Sequence, residues 1–69
     1  MKNTIKEFRD WQGLSQSDLA LLCSINNETM NAIENNDHEP GLQLAFDMAK
    51  YLNVRIDELF INEEQYENG

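Results

Sequence analysis

Between Arg9 and Lys50 the chain has no lysine and no arginine. Surfaces that hold phosphates rest on such cations, so their absence weighs against a polyanion as the ligand of this stretch. A single cysteine, Cys23, excludes an internal disulfide, and no apolar run is long enough to span a bilayer or to act as a signal peptide. A reducing, cytoplasmic setting is the expectation. The chain also lacks a second His or Cys at metal-ligand spacing, a Ser-His-Asp set and a glycine-rich phosphate loop. Neither metal, cofactor nor catalytic residue is therefore expected, and an enzyme is the last reading in rank.

What is present is acid. Thirteen Asp and Glu against five Lys and Arg give a net charge of −8, spread over the whole length. Such a balance predicts solubility, repulsion from phosphates and anionic membranes, and basic partners. A chain of 69 residues is one domain, near the lower size limit for a core without metals or disulfides. Residues 1–61 carry the pattern of that domain; residues 62–69 read as an acidic, disordered tail.

Helical spacing dominates. Ile5, Phe8 and Trp11 form an apolar face closed by Gly13, which predicts a helix over about 3–12 with a left-handed end. Ser15 with Asp18 reads as a capping box opening a helix over about 15–22. Asn26 caps a third over about 26–35, ended by the polar run from Asn35 to Pro40. Leu42, Ala45, Phe46, Met48, Ala49 and Leu52 predict a fourth, and Ile56, Leu59 and Phe60 a short fifth opened by Asp57 and Glu58. No segment alternates like a strand. Cys23, Phe46 and Met48 are expected in the core, and Tyr51 half-buried.

Five short helices carrying Gly13-Leu14-Ser15-Gln16, Leu19-Ala20, Ile25-Asn26, Thr29-Met30, Ala32-Ile33-Glu34, Pro40 and Val54-Arg55-Ile56-Asp57-Glu58-Leu59-Phe60 resemble the XRE family, the lambda-repressor and Cro type of helix-turn-helix. The resemblance covers residues 5–60 and implies an all-α, compact five-helix lambda-repressor-like domain. It implies a second helix crossing the DNA backbone and a third in the major groove. Gln16 would then sit at the backbone, Asn27, Glu28 and Asn31 would face bases, and Arg9 would bridge Glu34 as a structural pair.

The departures from that family pattern are as informative as the matches. Asn27, Ala32, Asn35, Asp37 and Asp47 stand where the pattern usually carries Arg or Lys, Leu21 and Leu22 where it has a charged pair, and Trp11 where it has a polar residue. Large apolar side chains on a surface without cations describe a protein-binding face, with Trp a favoured anchor. The leading expectation is a small regulator of a phage- or mobile-element-type switch. It would act as an antirepressor or modulator of repression, presenting Trp11, Leu21, Leu22, Glu28 and Glu34 to a basic helix-turn-helix repressor. The alternative is a Cro-like repressor binding a palindromic operator as a homodimer through Gln16, Asn27, Glu28 and Asn31. An antidote that sequesters a basic toxin enzyme is a third class. Against these stand simpler accounts: His38 in a surface loop, one of the two leucines completing the core, and acids that serve solubility alone.

Overall fold

A computed structural model describes residues 2–61, so the expectation for the tail at 62–69, Tyr66 included, lies outside the described residues. In chain order the elements are β1 (Lys2–Asn3), α1 (Ile5–Gln12), α2 (Gln16–Leu22), α3 (Asn27–Glu34), α4 (Leu42–Leu52), α5 (Ile56–Leu59) and β2 (Phe60–Ile61). The fold is the five-helix one expected, with an addition. β1 and β2 pair antiparallel, Lys2 opposite Ile61 and Asn3 opposite Phe60, where the sequence had suggested no strand. Two residues per strand are too few to show alternation. The pairing is fixed by neighbours: the Thr4 N–H donates to the Leu59 carbonyl at 2.9 Å, and the Thr4 hydroxyl donates to the Glu58 carbonyl at 2.7 Å.

This pairing also moves the start of α1 from the expected position 3 to Ile5. The Asn3 side chain is turned to other work: its Oδ1 accepts from the Ile5 N–H, while Nδ2 donates to the Ile33 carbonyl and to Asn36 Oδ1, both at 3.0 Å. One amide thus ties the chain's beginning to the end of α3. Phe60, expected in the last helix, is extended instead and belongs to β2.

Sequence chemistry sets the other helix starts. The Ser15 hydroxyl accepts from the Asp18 N–H while the Asp18 carboxylate accepts from the Ser15 N–H, a reciprocal capping box. Asn26 Oδ1 accepts from the Thr29 N–H at 2.7 Å, opening α3. Hydrogen bonds from Ser15 hold the Asp18 carboxyl below its ordinary pKa. A depressed folded value means that the stabilisation is complete above the unfolded carboxylate pKa of about 3.9 and is withdrawn as pH falls through the folded value. Melting temperature should therefore drop more steeply below pH 4 in the parent than in Asp18→Asn, as followed by circular dichroism; parallel curves would remove the cap from the account.

Four helices end alike. After α1 the Leu14 N–H reaches the Arg9 carbonyl, after α2 Ile25 reaches Ala20, after α3 Asp37 reaches Ala32, and after α4 Val54 reaches Ala49. Each such return needs a left-handed residue, supplied by Gly13 (φ 73°), Ser24 (φ 59°), Asn36 (φ 63°) and Asn53 (φ 57°). Leu14, Ile25 and Val54, the residues just past three of these turns, pack on the core. Gly and Asn adopt this backbone readily, whereas Ser24 does so at a cost of roughly 1 kcal/mol. Ser24→Gly should accordingly raise unfolding free energy by about 0.5–1 kcal/mol in urea titrations; a loss of stability would contradict the strain.

Ile5, Leu19, Met30, Ile33, Met48, Leu52 and Leu59 are fully buried and form the centre of the core, joined by Cys23. α4 buries Ala45, Met48, Ala49 and Leu52, the i, i+3, i+4, i+7 face of one helix. Phe46, placed in the core by the sequence reading, lies one residue off that face and is 51% exposed. A step of one residue rotates about 100° around a helix, which is enough to carry a ring from core to solvent.

Candidate functional site

α2 and α3, joined by the turn at Ser24, pack against each other in the helix-turn-helix arrangement, and α1 braces them through a buried ion pair. Arg9 Nε donates to Glu34 Oε2 at 2.8 Å and Nη2 donates to Oε1 at 2.9 Å, a two-pronged bridge from α1 to the end of α3. Nη1 donates to the Leu14 carbonyl at 3.0 Å, fixing the turn before α2. The two side chains are 7% and 6% exposed. The hydrogen bonds to Glu34 raise the Arg9 pKa despite burial, which acts the other way. Charge at this spot is structural cement between three helices.

That geometry corrects one expectation. Glu34 was also assigned to a partner-facing surface, but its carboxylate is buried on Arg9 and offers no free charge outward. Gln16 Nε2 lies on the same pair, donating to Glu34 Oε1 at 3.4 Å and to Asn31 Oδ1 at 3.3 Å. Arg9, Glu34, Gln16 and Asn31 thus form one chain of contacts running from the interior to the outer face of α3. Asn27 and Glu28 are exposed in the first turn of α3, with Glu28 complementing the helix dipole there. A hollow lined by Asn26, Glu28, Thr29, Ala32, Asp37 and His38 runs along that outer face, and it holds two carboxylates and no Lys or Arg.

The apolar candidates are on other helices. Trp11, at the end of α1, is 83% exposed and rests against Phe8 with ring centroids 6.4 Å apart. Leu21 is 80% exposed and Leu22 is 43% exposed, both at the end of α2. Neither leucine completes the core; Leu19, Ala20 and Cys23 supply that face. Cys23 is buried, and burial first, then the nearby Asp47 charge, pushes its thiol pKa up.

The cations lie elsewhere. Lys6 pairs with Asp10 at 2.7 Å on α1, Arg55 pairs with Asp57 at 2.8 Å at α5, and Lys50 stands over the Tyr51 ring at the end of α4. None is on α2 or α3. The surface formed by those two helices carries Asp18, Glu28 and Asp37 with no positive counterpart.

The sequence reading missed Asn3 altogether, because a two-residue strand gives no pattern and an Asn near a chain end reads as solvated. Leu42, which the helical period sets on the apolar face with Ala45 and Ala49, is 72% exposed at the start of α4.

A helix-turn-helix family model, HTH_3, matches residues 5–59. The chain belongs to the HTH_3, or XRE-type, helix-turn-helix family. Family relatives include an uncharacterised HTH-type transcriptional regulator of Methanocaldococcus jannaschii, 41% identical over 64 residues, which are 93% of this chain and 97% of that protein. Another is the HTH-type regulator YgzD of Bacillus subtilis, 35% identical over 65 residues, 94% and 98% of the two chains. Among solved structures of similar fold, the restriction-modification controller protein C.AhdI of Aeromonas hydrophila superposes with a TM-score of 0.75 at 28% identity, covering 81% of this chain and 85% of that one. A complex of SinR protein with SinI protein gives a TM-score of 0.73 at 26% identity, covering 94% and 62%. Both of these sequence relatives are named as uncharacterised HTH-type transcriptional regulators, and no helix among the described residues is long and apolar enough to cross a membrane.

Proposed function

We propose that this HTH_3 chain regulates transcription through a protein partner, its α2–α3 face occupying the basic surface of a DNA-binding repressor. The observation that carries this reading is the absence of any Lys or Arg from residue 10 to residue 49, the segment that holds both helices. DNA affinity depends on cations displacing condensed counterions, and this face offers acids in their place. Exposed Leu21 and Trp11 supply apolar anchors, and Glu28 supplies a charge that a basic partner would meet. The SinR and SinI complex is a precedent among similar structures for a protein of this fold assembling with another protein. An antirepressor or modulator of repression is the form of regulator this describes.

The second reading is direct operator binding as a homodimer, with Gln16 at the backbone and Asn27, Glu28 and Asn31 reading bases. Family membership and the exposed polar first turn of α3 favour it. Asn can pair with adenine and Glu can accept from cytosine, at about 1–3 kcal/mol of discrimination each. Association itself costs roughly 4–15 kcal/mol, so such contacts leave little surplus without phosphate contacts.

A mobility-shift titration against random duplex DNA at low salt separates the two. The protein-partner reading expects no complex at protein concentrations where ordinary DNA binders show nonspecific association, about 10⁻⁴–10⁻⁶ M. Affinity purification from the native host should then recover a basic helix-turn-helix protein, with recovery lost in Glu28→Lys and Leu21→Asp. A salt-sensitive duplex complex formed by the chain alone would decide for the operator reading.

A further inference from the structure

Trp11 served above as an apolar anchor, but its place in the fold gives it a narrower task. On α1, Arg9 reaches α3 through Glu34, and Gln12 reaches the end of α4, its Nε2 donating to the Leu52 carbonyl. At about 100° per residue, Trp11 stands about 200° round the helix from Arg9 and so projects away from α3. The Phe8 ring, 6.4 Å away between centroids and tilted by 40°, supports the indole on one side. Most of the ring still meets water, at 83% exposure. Charge around it is uneven. Glu7 lies four residues before Trp11 and is its neighbour on the helix surface. The other carboxylate of α1, Asp10, is taken: Lys6 pairs with it at 2.7 Å, and Arg9 Nη1 lies 3.7 Å away. Glu7 has no ion pair among the described residues, so a carboxylate without a counterion borders an exposed indole.

We infer that Trp11 and Glu7 together receive an arginine side chain of a protein partner, the guanidinium lying on the indole while its edge N–H groups donate to the Glu7 carboxylate. Both halves of the site ask for one chemistry. The indole face attracts a cation, and the carboxylate accepts N–H donors while repelling phosphates, which sets nucleic acids and anionic membranes aside. A planar guanidinium stacks on a ring and donates from its edge at the same time, which the compact lysine ammonium cannot do. A purely aliphatic ligand would use the ring but take water from Glu7 without supplying a donor, at a net loss. Only the choice of a protein to bring that arginine rests on the function proposed above; the site itself lies off the α2–α3 face.

Trp11 is the single tryptophan of the chain, so its emission reports on the site directly. A peptide alternating arginine and glycine, titrated into the full chain at low salt, should shift or quench that emission and should move the backbone amide resonances of residues 7–12 in nuclear magnetic resonance spectra. Affinity read from the amide shifts should fall about two- to fivefold in Glu7→Gln and in Trp11→Leu, which keeps an apolar side chain but has no ring. Trp11→Phe, which retains a ring, should fall between Trp11→Leu and the parent. A peptide of lysine and glycine should bind the parent more weakly. Because the whole chain carries a charge of −8, Glu39→Gln is the control: it removes the same charge from an exposed loop position and should leave the affinity unchanged. All three α1 variants are at exposed positions, so their far-ultraviolet circular dichroism should match the parent's. Emission indifferent to the arginine peptide, a loss in Glu39→Gln equal to that in Glu7→Gln, or a Trp11→Leu affinity equal to the parent's would each overturn the inference. These readouts are confined to α1, so their failure is separate from that of the mobility-shift and affinity tests above.

Discussion

Glu34→Ala should lower unfolding free energy by about 3–5 kcal/mol, because it strands the Arg9 guanidinium in the interior without its partner. The charge sits 7% exposed, and its two donors to Glu34 at 2.8 and 2.9 Å would lose both acceptors, leaving only the more exposed Asp10 carboxylate, 3.7 Å from Nη1, as an ionic neighbour. Chains of this size have a total stability of only about 0.05–0.15 kcal/mol per residue, so the loss is a third or more of the whole. Urea denaturation followed by circular dichroism should show a midpoint moved far toward zero denaturant. Arg9→Ala should be nearly as severe, since it leaves the buried carboxylate with only the long Gln16 contact at 3.4 Å and frees the Leu14 carbonyl. The double replacement Arg9→Met with Glu34→Leu should recover much of the loss, because apolar groups of similar volume remove both desolvation penalties together. A double variant no better than the single ones would mean that the pair contributes more than mutual neutralisation.

That result would also separate two meanings of acid in this chain. Glu34 and Glu28 look equivalent in sequence, two glutamates on one helix, and both were assigned to the same partner-facing surface. Burial divides them: Glu34 points back onto α1, and Glu28 lies in the first turn facing water. Helical period and capping residues were readable beforehand because they are local; Ser15 with Asp18, and Asn26 with Thr29, act over three residues. The β1–β2 pairing and the Asn3 amide were not, since both join positions thirty or more residues apart through only a few contacts. Phe46 failed for another reason. It shares the apolar period of α4 loosely, and only the placement of α2 and α5 around that helix decides which edge of an apolar face is covered. The missing cations were plain from the sequence, because charge, unlike burial, needs no coordinates.

Supplying those cations should convert the chain into a DNA binder. Asn27→Arg, Asn35→Arg and Asp37→Arg stand at exposed positions on or beside α3, where the family pattern usually has positive charge. Asn35 and Asp37 follow the end of that helix, so a positive charge there meets the negative pole of the dipole and removing Asp37 relieves a repulsion. Asn27→Arg opposes the positive pole at the first turn, at a cost of about 0.3–1 kcal/mol, which leaves the fold intact. If each arginine neutralises one phosphate, the logarithm of the binding constant should fall against the logarithm of salt concentration with a slope of about −3, and the parent should show no measurable complex. The appearance of binding with that slope, without any change in Asn31 or Gln16, would assign the parent's lack of affinity to electrostatics. A triple variant that still ignores duplex DNA would place the obstacle in the shape of the α2–α3 face. The side chains of the hollow along α3, Thr29 and Ala32 among them, would then be the positions to change next.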